Sequence, residues 1–515
     1  MVPVGMAYPS SLRICAQLAD GSWHLVGVHR CRPHALPSTS DALIRGVRTG
    51  ELVRAAFTLR RAYRKAGVEA PGWSSLVPGL ALLRRKFATG LAGKRVKPVP
   101  RKDAGSRAEP RVLIVTHNLN REGAPLFLLE LARYIAGGSR MRLTVISPFE
   151  GELRNEFEAL GATVQLVDRS ALWCACDARS STLALSAMSR ELRADRASVV
   201  IANTVESFWA VRAAHHAGTP SLFYIHEPGV LGHHYLASLC GEVRRQTAAA
   251  IECATCVSFP SRAVQAYYEP FSNGSNYRIQ PGWTNFEPNE TLPTNALRSK
   301  MRAHLQLAAT ECLIITVGRL CARKDQLGFM HAAEHLWQTA PDLAVRCRFV
   351  AIGAHEDDYG AQVAAEIIRL GRTNCAIVPA TESVQDYFAA ADIFVLSSFE
   401  EGFPRVLLEA MAFGLPIVTT DIHGIPEIVR HEREALLVPP GDHRALAAAL
   451  AQMLREPARP VRLGEAARTR LFDRFSAEHV LPGHLATIRQ LAPSLGEPAS
   501  KTHVHGWSEY DPASC

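Results

Sequence analysis

No stretch of this chain approaches the roughly 18 consecutive apolar residues that a membrane-spanning helix requires. Runs such as Val199 to Ala202, Leu313 to Val317 and Ala445 to Ala451 have the length of buried strands or helix faces. The start of the chain lacks a basic segment followed by an apolar core and a small-residue cleavage site, so no secretory signal is expected. A cytoplasmic location follows, with attachment to the inner face of the membrane as its peripheral variant. Paired cysteines are also scarce. The 12 cysteines stand singly apart from Cys174-Ala-Cys176 and Cys253-Ala-Thr-Cys256, and one C-x-x-C without a second pair does not make a zinc site. Buried reduced thiols are expected, and the sequons at Asn273 and Asn289 go unused in that location. No D-x-D occurs anywhere, so the closely spaced acids that often grip a divalent cation are absent and no metal is expected. Asp357-Asp358 reads as a solvated loop.

What is present is a chain of 515 residues, 47% apolar and 21% charged. That composition excludes disorder as the main theme and leaves room for two to four domains at roughly 150 residues each. The formal charge of +8 is unevenly placed: residues 1–110 hold 19 Lys/Arg against 6 Asp/Glu, and the remainder holds 38 against 43. The first hundred residues therefore read as a separate basic module whose partner is anionic, a membrane surface rather than nucleic acid. Glu51 to Lys65 sets Leu52, Phe57, Leu59 and Tyr63 among Arg54, Arg60, Arg61, Arg64 and Lys65, as a basic amphipathic helix does. Leu80 to Phe87 adds Arg84-Arg85-Lys86. Residues 45–102 are thus the segment expected to meet anionic lipid. Before them, Arg13 to Leu18 and Trp23 to His29 read as two strands around Asp20-Gly21. Residues 94–110, with Pro, Gly and charge but no apolar period, read as a linker.

From Arg111 onward short apolar runs alternate with amphipathic stretches, the pattern of parallel strands covered on both faces by crossover helices. The class is α/β. Strands are expected at Val112–Thr116, Leu143–Ser147, Val199–Asn203, Leu222–His226 and Thr255–Phe259, with helices between them such as Pro125–Ile135. The rhythm pauses at Gln280 to Glu290 and restarts at Leu313–Val317, Arg348–Ile352, Ala376–Pro379, Ile393–Ser397, Ile417–Thr420 and Ala435–Val438. Two doubly wound, Rossmann-like domains facing a cleft follow, and their ligands belong beyond the carboxyl ends of the strands.

Two segments carry chemistry. Strand Leu313–Val317 runs directly into Gly318-Arg319-Leu-Cys-Ala-Arg-Lys324, setting an arginine fork and a mobile lysine charge where a phosphate would lie. After Ile393–Ser397 comes Glu401-Gly402-Phe403-Pro404-Arg405-Val-Leu-Leu-Glu409. Pro404 suits the first turn of a helix. Glu409 falls among Val406, Leu407, Leu408, Ala410 and Met411, where a carboxylate needs fixed donors, as paired ribose hydroxyls would supply. Glu401, nearer the mouth, suits electrostatic stabilisation of a sugar ring gaining positive character.

With these motifs in this order, residues from about 111 to 490 resemble the family-four (group 1) retaining, nucleotide-sugar glycosyltransferases of the two-domain GT-B type. The resemblance implies that Gly318, Arg319 and Lys324 hold the donor diphosphate. It implies that Glu409 binds the donor ribose, and that Glu401 with Gly402, Phe403 and Pro404 approaches the sugar. Glu427, in Asp421 to Glu427, would belong to the loop closing over the donor. Asn118 to Pro125, with Gly123, resembles the loop facing the phosphates, and His226 stands where family members place a histidine near the transferred sugar. The implied division is a basic module at 1–93, a linker at 94–110, an acceptor domain at 111–285, a donor domain at 286–460, helices crossing back at 461–493 and a tail at 494–515. The implied reaction moves a sugar with retention from a nucleoside-diphosphate sugar to an acceptor in glycan, polysaccharide or glycolipid biosynthesis. Arg319 and Lys324 stand in for a metal, and there is no cofactor beyond the UDP- or GDP-sugar co-substrate. The partners are that nucleotide sugar and a glycan or lipid-linked acceptor. A nucleotide-sugar epimerase, a sugar phosphorylase, or a non-catalytic scaffold that binds a nucleotide sugar stays open beside it.

Overall fold

The computed structural model describes residues 11–17, 23–30, 109–137, 141–173, 175, 177–195, 197–228, 241–287, 295–354, 357–381 and 383–495. The amphipathic segments of residues 45–102 and most of the linker lie outside the described residues. Near the amino terminus, β1 (Ser11–Gln17) and β2 (Trp23–Arg30) pair antiparallel, with a register shift between Ile14 and Cys15. They belong to one compact unit together with Asp168–Ala184, and the rest of the described chain forms another.

The larger unit holds two parallel sheets. The first has seven strands in the order β5-β4-β3-β6-β7-β8-β9: β3 (Arg111–Val115), β4 (Arg142–Ser147), β5 (Thr163–Leu166), β6 (Val199–Asn203), β7 (Ser221–Tyr224), β8 (Cys256–Phe259) and β9 (Tyr277–Ile279). The second has six in the order β12-β11-β10-β13-β14-β15: β10 (Cys312–Val317), β11 (Cys347–Ala354), β12 (Cys375–Pro379), β13 (Ile393–Leu396), β14 (Ile417–Thr420) and β15 (Leu436–Val438). The expected strands are all found, and β5 and β9 are additions at the edges of the first sheet. Both are short and mostly exposed, so neither carries the continuous apolar run that marks a strand buried on two faces.

The period of two along each central strand feeds two cores. Ile314, Val395 and Val418 pack into one apolar cluster with helix Gln326–Thr339, while Leu313, Ile315, Phe394 and Ile417 pack into another with helix Arg405–Ala412. At about 25 cal/mol per Å² of apolar surface removed from water, such layers dominate the stability of the fold. The last helix, Ala477–Leu491, leaves the second sheet and packs Val480, Leu481 and Ile488 on the first. His484 fixes that return: its Nδ1 meets the Tyr224 hydroxyl at 2.9 Å and its Nε2 meets the Pro281 carbonyl at 3.0 Å.

In each sheet the strand order reverses once, between β3 and β6 and between β10 and β13. Such switch points leave a crevice beyond the carboxyl ends of the two diverging strands. The segments leaving β10 and β13 are those that begin at Gly318 and Ser397. Those leaving β3 and β6 begin at Thr116 and Thr204.

Candidate active site

The second sheet's switch point gathers the first group. Gly318, immediately after β10, has φ +138°, and a Cβ there would lie 3.2 Å from the Cδ, Cε and Nζ of Lys324. The lysine is thus laid along the glycine, at the end of a single helical turn, Ala322–Lys324. Asp325 follows in the left-handed conformation (φ +49°) and caps helix Gln326–Thr339, its Oδ1 accepting from Gly328 N at 3.0 Å while Oδ2 meets His443 Nε2 at 3.0 Å. Ser397 at the end of β13 donates to the carbonyls of Lys324 and Asp325 at 3.2 and 2.8 Å. The turn is therefore pinned between the two diverging strands, and Lys324 cannot drift from the crevice.

Lys324 Nζ donates to Glu401 Oε1 at 2.9 Å, and Ser398 Oγ donates to the same oxygen at 2.9 Å. Arg323 Nη1 lies 3.6 Å from Glu401 Oε2. Glu401 is only 6% exposed, so the expectation that it stands near the mouth is corrected: it lies beneath the lysine. Burial alone would raise its pKa, but the Lys324 and Arg323 charges outweigh burial and hold the carboxyl below its ordinary value. Arg319 is more open. Its guanidinium lies 3.7 Å from Glu122 and 3.9 Å from Asp357, with its side chain 58% exposed, and ion pairs this loose contribute little. It is free to exchange them for an anion.

Glu401 to Arg405 is wedged against the first sheet's side of the molecule. A Cβ on Gly402 would sit 2.0 Å from the His226 carbonyl oxygen, and one on Gly424 would sit 2.1 Å from the Gly402 carbonyl. Phe403 packs on Gly282 and stacks edge-on with Phe475 at 5.6 Å. Pro404 occupies the N-cap of helix Arg405–Ala412. In that helix Leu407, Leu408, Ala410 and Met411 are buried, but Glu409 is not embedded among them as expected. Its side chain is 21% exposed and accepts from Arg405 Nε at 3.1 Å, because residues i and i+4 share one face of a helix. Glu427, in the segment from Asp421, accepts at its oxygens from Arg262 N at 3.0 Å and Ala263 N at 2.8 Å.

On the first sheet, Gly123 opens helix Gly123–Ala136, and a Cβ there would have nothing within 4 Å. His226 lies two residues beyond β7. Asn203, at the end of β6, donates its amide to the Ala124 carbonyl at 2.9 Å, so its Oδ1 accepts from His226 Nε2 at 2.8 Å. The proton is thereby fixed on Nε2 and Nδ1 keeps its lone pair. Burial, helped by His117 and His484, pushes the His226 pKa down to about 3. Burial pushes His484 down to about 4. Glu227 beside it is pushed up by burial, against the bonds from Val205 N and His226 N.

The two depressed histidines have a consequence for stability. Their unfolded values are ordinary, near 6.5, so below that pH the unfolded chain takes up protons that the folded chain refuses, and stability falls with pH. Each histidine accounts for about 2 kcal/mol of loss at pH 5 relative to pH 7.5. Glu401, with its lowered value, loses its contribution only below the ordinary carboxylate range, while Glu227 and Asp325, with raised values, gain stability as pH falls and offset part of the histidines' loss. The thermal unfolding midpoint is expected to drop by several degrees between pH 7.5 and 5 in the wild type, and by clearly less in His484→Gln. An equal drop in both would remove His484 from this account.

The structure thus joins Gly318, Lys324 and Glu401 in one cluster and Gly402 with His226 in a second contact. It sets Arg319 toward the Glu122–Gly123 turn and leaves Glu427 on a separate helix end. Residues the sequence reading passed over are Arg323, Ser398, Asn203, Arg405 and Glu130. Arg405 had a signal, its i,i+4 spacing from Glu409; Glu130 had one too, as the acid inside the apolar run of helix Gly123–Ala136. Among the described residues no helix is long and apolar enough to cross a membrane.

Comparison with known proteins agrees with this architecture. Residues 311–456 match the family model described as glycosyl transferases group 1. The amylovoran biosynthesis glycosyltransferase AmsK of Erwinia amylovora is 39% identical over 113 residues, 21% of this chain and 28% of that protein. A D-inositol 3-phosphate glycosyltransferase of Rhodococcus opacus is 28% identical over 219 residues, 42% of this chain and 48% of that one. The chain thus spans less than half the length of each of these curated relatives. Among solved structures, Anabaena HepE in complex with UDP and glucose aligns with a TM-score of 0.62 at 20% identity, over 73% of this chain and 98% of HepE. That likeness establishes the fold. Residues 311–456 thus resemble the group 1 glycosyltransferase domain, and the described chain has a GT-B fold.

Proposed function

We propose that the chain transfers a sugar from a nucleoside-diphosphate sugar to an acceptor hydroxyl, without a metal and with retention of configuration. The observation that carries this reading is the Lys324–Glu401 pair beside Gly318 at the switch point of the second sheet. A lysine so pinned, with Arg319 exposed nearby, meets a diphosphate as it gains charge on departure, and fixed cations stabilise that charge more in the transition state than in the ground state. The bond from the anomeric carbon to the β-phosphate oxygen breaks, the bond to the acceptor oxygen forms on the same face, and the acceptor proton leaves with the diphosphate. Glu401 takes the place below the sugar, and Glu409 accepts from the donor ribose. His226, neutral at Nδ1, offers an acceptor atom at the cleft.

UDP-sugars lead among donors, since HepE binds UDP and UDP-glucose; a GDP-sugar is second. AmsK's part in amylovoran biosynthesis supports a polysaccharide or lipid-linked glycan as acceptor. The test is a thermal-shift panel of UDP, GDP, ADP, dTDP and their sugar conjugates on the full chain, with and without EDTA. One base is expected to raise the midpoint, equally in EDTA, with UDP foremost. A shift that needs a divalent ion would overturn metal-independent binding, and no shift with any nucleotide would favour a scaffold.

A further inference from the structure

Arg405 begins the helix that carries Glu409, and its guanidinium reaches in two directions. Nη2 lies 2.5 Å from Glu130 Oε1, while Nε donates to Glu409 Oε1 at 3.1 Å. Glu130 belongs to helix Gly123–Ala136 on the first sheet and is only 4% exposed. A carboxylate at that depth is costly without a cation, so Glu130 and Arg405 each require the other. Burial works against the Arg405 charge, yet Glu130 and Glu409 together hold its pKa above the ordinary arginine value. The neighbouring Gly402 and Phe403 dock on His226 and Gly282, so the whole loop from Glu401 to Arg405 is registered against the first sheet, with Arg405 as its charged member.

We propose that Arg405 is a positioning residue: anchored by Glu130 across the cleft, it holds Glu409 by one oxygen only and so presents that carboxylate to the ribose hydroxyls of the donor. This rests on the reading of Glu409 as the ribose-binding acid. An arginine can grip a carboxylate with two parallel bonds, and with Glu130 gone Nη2 is released to join Nε on Glu409. Both oxygens that a ribose needs would then be occupied. Ribose recognition by the second sheet is thereby made conditional on the docked helix of the first.

The experiment is calorimetric titration of the full chain with UDP and 2′-deoxy-UDP, with GDP and 2′-deoxy-GDP in parallel, in wild type, Glu130→Gln and Arg405→Lys. Wild type is expected to prefer the ribonucleotide by about tenfold, the scale of one hydrogen bond to a charged group. Glu130→Gln is expected to weaken the ribonucleotide by about that factor and to leave the deoxy form within about twofold, erasing the preference. Arg405→Lys, which keeps a cation for Glu130 but lacks the Nε donor, is expected to do the same and serves if Glu130→Gln fails to fold. A ribose preference that survives in the variants, or equal weakening of both forms, overturns the proposal while the donor reading stands. No preference in the wild type removes Glu409 from the ribose, and the proposal with it.

Discussion

Lys324→Met is expected to destabilise the protein by about 3 kcal/mol and to slow sugar transfer at least about a hundredfold. The two losses have different origins. Glu401 is buried and its short contacts are Lys324 and Ser398, with Arg323 more distant. Removing the lysine leaves a desolvated carboxylate short of its main counter-charge, which is what makes breaking a buried pair costly. The lost turnover comes instead from the missing cation at the departing diphosphate. The double variant Lys324→Met/Glu401→Gln separates them: a neutral amide keeps the bond from Ser398, so stability in urea is expected to return to near the wild-type value while transfer stays low. Recovery of both would make the pair a structural bridge.

Gly402→Ala is the second large effect. The new methyl would stand 2.0 Å from the His226 carbonyl oxygen, a backbone atom that cannot rotate away, and Gly424 behind Gly402 closes the retreat. The loop from Glu401 to Pro404 must therefore shift by about an ångström, a displacement that can cost about a hundredfold in rate. Overpacking of this kind is expected to cost about 1–3 kcal/mol as well. Gly483→Ala is the matched control: it lies inside helix Ala477–Leu491 with nothing within 4 Å of its added Cβ, and is expected to stabilise the helix by up to about 1 kcal/mol. Donor turnover and the unfolding midpoint, measured together, check both. A Gly402→Ala enzyme with wild-type turnover would show that the loop need not sit against His226.

The continuous apolar runs from Val112 to Val438 were legible because strands buried on both faces leave no choice of side chain. Strands β5 and β9 were not, since an exposed edge places no such demand. Lys324 and Glu401 were legible as types at the ends of strands, but their mutual bond was not. The sequence holds them 77 residues apart, and only the side-by-side parallel pairing of β10 and β13 at the switch point brings them together. The depth of Glu401 went unread for the same reason. Glu409 was misjudged because its sequence neighbours are apolar, whereas a helix turns consecutive residues to different faces; the Arg405 spacing carried the truer signal. Glu130 meets Arg405 only across the cleft, and no local pattern encodes that.

The central claim is that the Lys324 cluster breaks the bond between a sugar and a nucleoside diphosphate. Release of nucleoside diphosphate from UDP-glucose and related donors, followed in EDTA on the wild type and on Lys324→Met/Glu401→Gln, tests it most directly. Slow release by the wild type, abolished in a double variant that retains the wild-type unfolding midpoint, is the result predicted here. Equal release by the two proteins would contradict the assignment of Lys324 to the reaction.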